Sequence, residues 1–314
     1  MTKPLQEILD AVRADISAAL SKNPPVEEVD ADALELHDIP SAAAEKWYRI
    51  DDVVVVVADL QSSTRLGTGK HAASTAAIYR AATGNVVRVL HDFDCDFIAI
   101  QGDGAFGVFW GERHVERAIC AGITIKTFSK ETLVPQLESR WTSGPDTGFK
   151  VGVASGRVLV KNVGTRNDEN EQEPIWAGKP VNYATKAAQQ ASRHELIVTG
   201  SMWLAIEGND YLTVSCGHGV ENDDAFSVLW EDVEIEKLTH DTDEAAGRLL
   251  KACWCTECGP SYVKAILDGE TERPEAEDVV SKSDLANTIE SARFNERRDR
   301  IARKRGLRRV KRRR

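Results

Sequence analysis

Two aspartates stand at positions where a carboxylate can bind a divalent metal ion. Asp59 follows the valine run from 53 to 57, and Asp103 lies between glycines in the stretch QGDGAF. A run of β-branched residues predicts a strand buried on both faces, and Asp-Gly predicts the tip of a hairpin. Each aspartate alone also fits a structural role, as a helix N-cap or a turn residue. Together at one edge of a sheet, they would form an oxygen-ligand site suited to Mg²⁺ and a polyphosphate.

The loop that follows Asp59 is a candidate phosphate-binding segment. It begins a helix, so backbone N–H groups at its start point outward without helical partners. These groups belong to Ser62, Ser63 and Thr64. Such N–H groups can donate to phosphate oxygens.

A second group of candidate metal ligands lies toward the C-terminus. The stretch CWCTEC places Cys253, Cys255 and Cys258 close together, and His240 lies 13 residues before Cys253. Three thiolates and one imidazole can form a closed tetrahedral zinc site. The paired Cys-x-x-Cys signature is absent, so reduced thiols without a metal are the alternative. If zinc is bound, we expect it to hold a small C-terminal module together, outside the chemistry.

The elements that position these residues follow from the hydrophobic pattern. Between residues 46 and 238 it predicts a strand over 52–58, then a helix, a hairpin, a helix, a second hairpin, a helix and a strand. Both strands of the second hairpin are predicted within FKVGVASGRVLVKNVG, residues 149–164. This order is typical of an α+β fold with helices on one face of a mainly antiparallel sheet.

Composition divides the chain into five parts. Apolar residues spaced by three and four between Leu5 and Leu20 predict an amphipathic helix, and the acidic, proline-containing stretch after it predicts a linker. The predicted parts are an N-terminal helix (1–22), a linker (23–45), the α+β domain (46–238), a small cysteine-containing module (239–290) and a basic tail (291–314).

Charge and hydropathy limit the partners. Residues 293–314 hold 13 Lys and Arg against two acids, whereas the remainder holds 27 basic and 48 acidic residues. The tail is either a solvated arm or a site for an anionic partner such as nucleic acid, and the acidic body argues against further nucleic-acid contacts. No apolar run approaches the roughly 18 residues of a membrane span, and the N-terminus lacks a signal-peptide pattern. We therefore expect a cytoplasmic protein without a membrane partner.

Four motifs resemble those of the class III nucleotidyl cyclases. They are ADLQSSTRL, QGDGAF, VGVASGRVLVKNVG and GKPVNYATKAAQQAS, in the order of that family, over residues 46 to 238. The resemblance implies a ferredoxin-like class III cyclase catalytic domain. It also implies two divalent ions per site, Mg²⁺ or Mn²⁺, which are held by Asp59, Asp103 and the Leu60 carbonyl. The resemblance further implies that Arg157 contacts the triphosphate of a bound nucleotide.

The motif VNYATK resembles the family segment that supplies the remaining catalytic groups. Asn182 matches the asparagine that positions the ribose, and Lys186 stands where the family usually has an arginine that stabilises the transition state. Lysine keeps the charge without the forked guanidinium. In the family, the aspartates come from one chain and the asparagine and basic residue from the other. The resemblance therefore implies a homodimer with shared active sites.

Two positions depart from the purine-selective relatives. Those relatives read the base with side chains four residues before the second aspartate and seven before the asparagine, and here these are Ala99 and Ile175. Neither side chain can hydrogen-bond to a base. The layout is most similar to the pyrimidine cyclases of bacterial Pycsar antiphage systems. Trp176 and Tyr48 are aromatic candidates for an altered base pocket, and a place in the core is the alternative for each.

The resemblance implies cyclisation of a pyrimidine nucleoside triphosphate, with UTP favoured over CTP, to a 3′,5′-cyclic monophosphate and pyrophosphate. The product would be a second messenger for antiphage defence, read by a separate effector protein. Two alternatives stay open: an adenylate cyclase that makes cyclic AMP, and a catalytically silent module that senses nucleotides or tethers nucleic acid. The presence of both aspartates argues against the silent module.

Overall fold

The structure is a computed structural model and describes residues 3–68, 70–141, 146–165, 168–218 and 227–276. The predicted basic tail and the last part of the predicted C-terminal module lie outside the described residues. The helices are α1 (Leu5–Ser21), α2 (Ser63–Leu66), α3 (Ala72–Asp92), α4 (His114–Phe128), α5 (Val134–Arg140), α6 (Lys179–Gln190), α7 (Gly200–Ile206), α8 (Asp210–Thr213), α9 (Thr242–Ala245) and α10 (Gly259–Asp268). The strands are β1 (Val26–Glu28), β2 (Trp47–Gln61), β3 (Phe97–Gln101), β4 (Gly104–Phe109), β5 (Gly148–Gly164), β6 (Gln172–Gly178), β7 (Leu196–Val198), β8 (Trp230–Glu234) and β9 (Ala246–Leu250).

Within the described ranges, the strands form one nine-stranded sheet in the order β3-β4-β2-β5-β7-β9-β8, with β1 beside β2 and β6 beside β5. The pairs β1 with β2 and β5 with β7 are parallel, and the other pairs are antiparallel. From β2 to β7, the order of strands and helices is the predicted one. The position predicted for the second hairpin is wrong, because residues 149–164 lie within the single strand β5, and its partner β6 begins at Gln172. The prediction of an α+β fold with a mainly antiparallel sheet is confirmed.

The valine run forms the centre of this sheet. Val53 to Val56 are fully buried, because β4 and β5 pair along both sides of β2 and helices cover both faces. Successive side chains point to opposite faces of a strand. Val54 and Val56 therefore pack in the cluster of α3 and α4, and Val53 and Val55 pack in the cluster of α6. The prediction of a doubly buried strand is confirmed.

The prediction that the helices cover a single face is wrong. Whereas α3 and α4 pack on one face, α6 packs on the other through Tyr183, Ala184 and Ala187. The reason lies in the sequence of β2, since five consecutive valines place apolar side chains on both faces of the strand and both faces need apolar cover.

The N-terminal region contains one exposed helix and one packed segment. The amphipathic helix predicted there is confirmed as α1, and none of its residues is buried. The segment predicted as a linker packs on the sheet: β1 pairs with the start of β2, and the Leu34 carbonyl accepts a hydrogen bond of 3.0 Å from Trp110 Nε1. Across the described ranges, no helix is long and apolar enough to cross a membrane.

Candidate active site

Strand register brings Asp59 and Asp103 to the same edge of the sheet. Ala58 pairs with Ala105, so Asp59 lies opposite Gly104, the neighbour of Asp103. A Cβ at Gly104 would lie 2.5 Å from the Ala58 carbonyl oxygen and 3.5 Å from the Asp59 Cα. Glycine is therefore required for this close approach of β4 to β2, which sets the two aspartates beside each other.

The turn that carries Asp103 matches its sequence. Gln101 pairs with Gly104, which leaves Gly102 and Asp103 as a two-residue hairpin loop, and Gly102 has φ +65°. A left-handed backbone at the first loop position favours glycine in tight hairpins. Thr83 Oγ1 on α3 donates to the Asp103 carbonyl at 2.8 Å and so ties the turn to α3. The predicted position of Asp103 at a hairpin tip is confirmed.

A lysine that sequence reasoning missed completes this charged edge. Lys150 on β5 pairs with Asp59, and its Nζ lies 2.6 Å from Asp59 Oδ2. The Lys150 side chain is 16% exposed and that of Asp59 is 40% exposed. The carboxylate therefore faces solvent, while the covered lysine stem holds the ammonium group in place. A cation held beside the Asp59 carboxylate can contact the phosphate oxygens of a nucleotide bound there.

Arg157, the predicted triphosphate contact, lies elsewhere. It is seven residues from Lys150 along β5, about 23 Å at the usual rise of about 3.3 Å per residue. Its Nε bonds Asp51 Oδ1 at 2.5 Å, next to the irregularity between Ile50 and Val53 in the ladder with β2. The structure does not bring Arg157 to Asp59 and Asp103 of its own chain, and Lys150 lies beside Asp59 instead.

The loop after β2 begins with an unusual backbone conformation. Ser62 has φ +58°, and the α2 turn follows it directly. A left-handed backbone is uncommon for a residue other than glycine and is often found at functional sites. Leu60 as a whole is 3% exposed and its side chain packs in the cluster of α3 and α4, so it would reach a metal ion only through its backbone carbonyl. Residues 62–64 directly follow the strand that ends at the carboxylate edge.

The helix α6 lies unusually close to β5. A Cβ at Gly152 would lie 2.0 Å from the Ala184 carbonyl oxygen and 2.4 Å from the Ala188 nitrogen. The helix backbone therefore rests directly on a glycine of the strand, and the alanines beside the contact allow this approach. The position of α6 on the sheet is set by this contact.

Asn182 and Lys186 lie one turn apart on α6, away from its buried side. Asn182 Nδ2 donates to the Gly178 carbonyl at 3.4 Å, and Lys186 Nζ lies 5.5 Å from the centre of the Tyr183 ring. These described contacts are both local to the helix and its N-terminal cap. Both polar groups are therefore accessible to a substrate or to a second molecule.

The candidate base-reading residues divide into exposed and buried ones. Ile175 on β6 is 44% exposed, and Ala99 lies on β3 opposite Phe106. Trp176 is buried, with its ring centre 5.1 Å from that of Phe97 and in contact with Trp110. It is a core residue, as the alternative held. Tyr48 stays partly exposed, with the ammonium of Lys46 4.8 Å from its ring centre.

The structure corrects the predicted zinc ligands. Four potential ligands have their metal-binding atoms within 4.8 Å of one another: Cys216, His218, Cys255 and Cys258. The predicted His240 lies instead beside α6, with Nε2 3.5 Å from Tyr183 Oη.

Cys253, the other predicted ligand, has a different neighbour. Its Sγ lies 3.5 Å from Lys126 Nζ, which also donates to the carbonyls of Lys251 and Ala252 at 2.6 Å each. Lys126 is fully buried on α4, and burial lowers the pKa of its ammonium group. Of the predicted set, only Cys255 and Cys258 belong to the cluster.

Comparison with known proteins identifies the class. The crystal structure of a class III adenylyl cyclase-like ATP-binding protein from Pseudomonas aeruginosa matches with a TM-score of 0.52 and 18% identity, over 91% of this chain and 53% of that one. No protein-family model matches the chain. The fold is that of the class III nucleotidyl cyclases.

Curated relatives identify the family within that class. The uridylate cyclase of Micromonospora echinofusca is 45% identical over 309 residues, which are 96% of this chain and 98% of that protein. The uridylate cyclase of Propioniciclava tarda is 46% identical over 271 residues, 86% of each chain. The chain belongs to the uridylate cyclase family and is a nucleotidyl cyclase.

Proposed function

We propose that this protein converts UTP into 3′,5′-cyclic UMP and pyrophosphate. The observation that carries the proposal is the edge formed by Asp59, Asp103 and Lys150, in a chain that matches uridylate cyclases over nearly its whole length. In the reaction, the ribose 3′ oxygen forms a bond to the α-phosphorus and loses its proton. The bond from the α-phosphorus to the bridging oxygen breaks, and that oxygen leaves with pyrophosphate.

The residues at the edge fit divalent metal ions. Two carboxylates on adjacent backbone segments, one of them 40% exposed, are hard oxygen donors of the kind that Mg²⁺ and Mn²⁺ prefer. Asp59, Asp103 and the Leu60 carbonyl would hold the ions, two per site as in the class. When bound, such ions supply positive charge to the triphosphate and lower the pKa of the attacking hydroxyl.

The remaining groups of the edge act on the triphosphate directly. Lys150 is held next to Asp59 and donates to a phosphate oxygen, which offsets the negative charge that builds on the leaving pyrophosphate. The backbone N–H groups of residues 62–64 supply further donors in the loop after β2. Both contributions come from the same chain as the two aspartates.

We infer that the other half of each site comes from a second copy of the chain. Asn182 and Lys186 project from the side of α6 that is turned away from its own sheet. In a two-fold dimer, the partner's helix would present its asparagine to the ribose and its lysine to the α-phosphate, where charge accumulates in the transition state. Each dimer then contains two equivalent sites.

Selection of a pyrimidine rests on the positions that lack polar groups. Ala99 and Ile175 offer no donor or acceptor for a purine edge. A site without such groups gains little from adenine or guanine, since hydrogen-bonded recognition is what separates similar substrates by about 10⁴-fold or more. As in the Pycsar systems that the motifs resemble, we propose that the cyclic nucleotide acts in the cytoplasm on a separate effector for antiphage defence.

The test is product identification with each nucleotide. The full chain is incubated with UTP, CTP, ATP or GTP and Mn²⁺ or Mg²⁺, and products are identified by mass spectrometry. We expect cyclic UMP as the main product, and its loss in Asp59→Asn, which keeps the side-chain volume but removes the charge. Faster turnover of ATP would establish the adenylate cyclase alternative. No cyclic product with any nucleotide, from folded protein, would establish the silent module.

A further inference from the structure

We propose that Cys216, His218, Cys255 and Cys258 bind one structural zinc ion that fastens the segment after α8 to the start of α10. The four ligand atoms lie within 4.8 Å of one another, and they come from two segments separated by 36 residues. The proposal concerns a site apart from the carboxylate edge and does not depend on the nucleotide used.

The distances suit a tetrahedral zinc ion. With bonds of about 2.3 Å to sulfur and 2.0 Å to nitrogen, a tetrahedral site places sulfur and nitrogen ligands about 3.5 Å apart. His218 Nδ1 lies 3.1 Å from Cys258 Sγ and 3.8 Å from Cys255 Sγ, which brackets that value. The ligand atoms therefore need only small side-chain adjustments to enclose an ion.

Cys255 and Cys258 lie in one tight turn that precedes α10. The Gly259 nitrogen donates to the Cys255 carbonyl at 2.8 Å, and the Tyr262 nitrogen donates to the Cys258 carbonyl at 2.9 Å. This turn leads into α10, whose N-terminal end favours nearby negative charge. The backbone therefore holds these two ligands three residues apart at the start of the helix.

The imidazole is oriented by a second contact. Nε2 of His218 lies 3.7 Å from a Glu257 carboxylate oxygen, on the side of the ring opposite the cysteines. A carboxylate there favours the proton on Nε2 and leaves the lone pair of Nδ1 directed at the three thiols. With four protein ligands the site is closed, which is typical of structural rather than catalytic zinc.

Both ligand segments are anchored before any metal binds. On one side, the buried guanidinium of Arg273 donates to the Val214 and Ser215 carbonyls. On the other side, Trp254 donates through its backbone nitrogen to Thr127 Oγ1 on α4 at 3.0 Å. Zinc would therefore join residues 216–218, which follow α8, to the turn of residues 255–258, which lies next to α4. The ion thus fixes the described part of the C-terminal module against the helix layer formed by α3 and α4.

The experiment measures zinc in the full chain, purified with a tag that lacks histidine. We expect about one zinc per chain in the wild type, and less than about one fifth of that in Cys258→Ser and in Cys216→Ser, each of which removes one of four ligands. Cys253→Ser and His240→Ala are matched controls from the same region and should keep the metal. Zinc release from the wild type by a thiol-specific reagent, followed with a metal indicator dye, gives the stoichiometry without any mutation.

Three results would overturn the proposal. One is wild-type protein free of zinc after expression in zinc-supplemented medium. Another is loss of zinc from Cys253→Ser to the same extent as from Cys258→Ser. The third is a disulfide between two of the clustered cysteines in protein isolated under reducing conditions, detected by alkylation and peptide mass mapping.

Discussion

Substitution of Gly152 by alanine tests whether the contact between α6 and β5 positions catalytic groups. The added Cβ would lie 2.0 Å from the Ala184 carbonyl oxygen and 2.4 Å from the Ala188 nitrogen. Both atoms belong to the helix backbone, so no side-chain rotation relieves the contact. To restore an ordinary separation of at least 3.4 Å, α6 must move by more than about 1 Å from the strand.

The size of the effect follows from this displacement. Insertion of a methyl group into a packed core costs typically 1–3 kcal/mol, and we expect about 2–3 kcal/mol here because backbone must shift. Asn182 and Lys186 move with the helix. A misplacement of about 1 Å in a catalytic constellation lowers the rate by roughly 10²-fold. The predicted loss of turnover therefore exceeds what partial unfolding alone explains.

The assay combines urea denaturation, which gives the free energy of unfolding, with turnover of UTP by folded protein. Gly84→Ala is the matched control, since a Cβ added at Gly84, on the exposed side of α3, would have no atom within 4 Å. Alanine in a helix interior is favoured over glycine by up to about 1 kcal/mol, so this control should be slightly stabilised and fully active. Wild-type stability and turnover in Gly152→Ala would refute the argument.

Two further substitutions test individual lysines. Lys150→Met should lower kcat/KM for UTP by about 10²-fold or more, because a charged phosphate contact is lost. Lys150→Arg should recover part of this activity. Unchanged steady-state kinetics in Lys150→Met would contradict the role assigned to Lys150. Lys126→Met should lower the free energy of unfolding by about 2–4 kcal/mol, because the carbonyls of residues 251 and 252 lose their buried donor. Lys130→Met, on the exposed surface nearby, should change the free energy of unfolding by less than about 0.5 kcal/mol in the same denaturation assay.

Local patterns in the sequence were sufficient for the strand and hairpin that carry the aspartates. The valine run predicts β2, and QGDGAF predicts the turn, because both signals lie within a few consecutive residues. Lys150 carries no such signal. A lysine next to a strand's apolar residues predicts only a solvated position, and its role depends on a cross-strand register that pairs it with Asp59.

The cysteine cluster shows the same limit. Cys255 and Cys258 were recognisable from their short spacing, whereas Cys216 and His218 lie far away in the sequence and share no spacing rule with them. Proximity in sequence favours His240 as the fourth ligand, yet the fold places it against α6. Ligands from separate segments become predictable only once the path of the chain between them is known.

The central claim is that each active site combines Asp59, Asp103 and Lys150 of one chain with Asn182 and Lys186 of its partner. The most direct measurement is cyclic UMP formation from UTP after mixing two inactive variants, Asp59→Ala and Asn182→Ala, under conditions where subunit exchange is shown by mass spectrometry. Random exchange places half of the chains in mixed dimers, each with one complete site, so activity should return to about a quarter of the wild-type value.

The matched control for this measurement is a mixture of Asp59→Ala with Asp103→Ala. Both changes affect the half of the site that one chain supplies, so every site in the mixed dimer stays incomplete and no activity should return. Recovery of about a quarter in the first mixture and none in the second is the result we predict. Absence of recovery in the first mixture despite complete exchange, or equal recovery in both, would contradict the shared site.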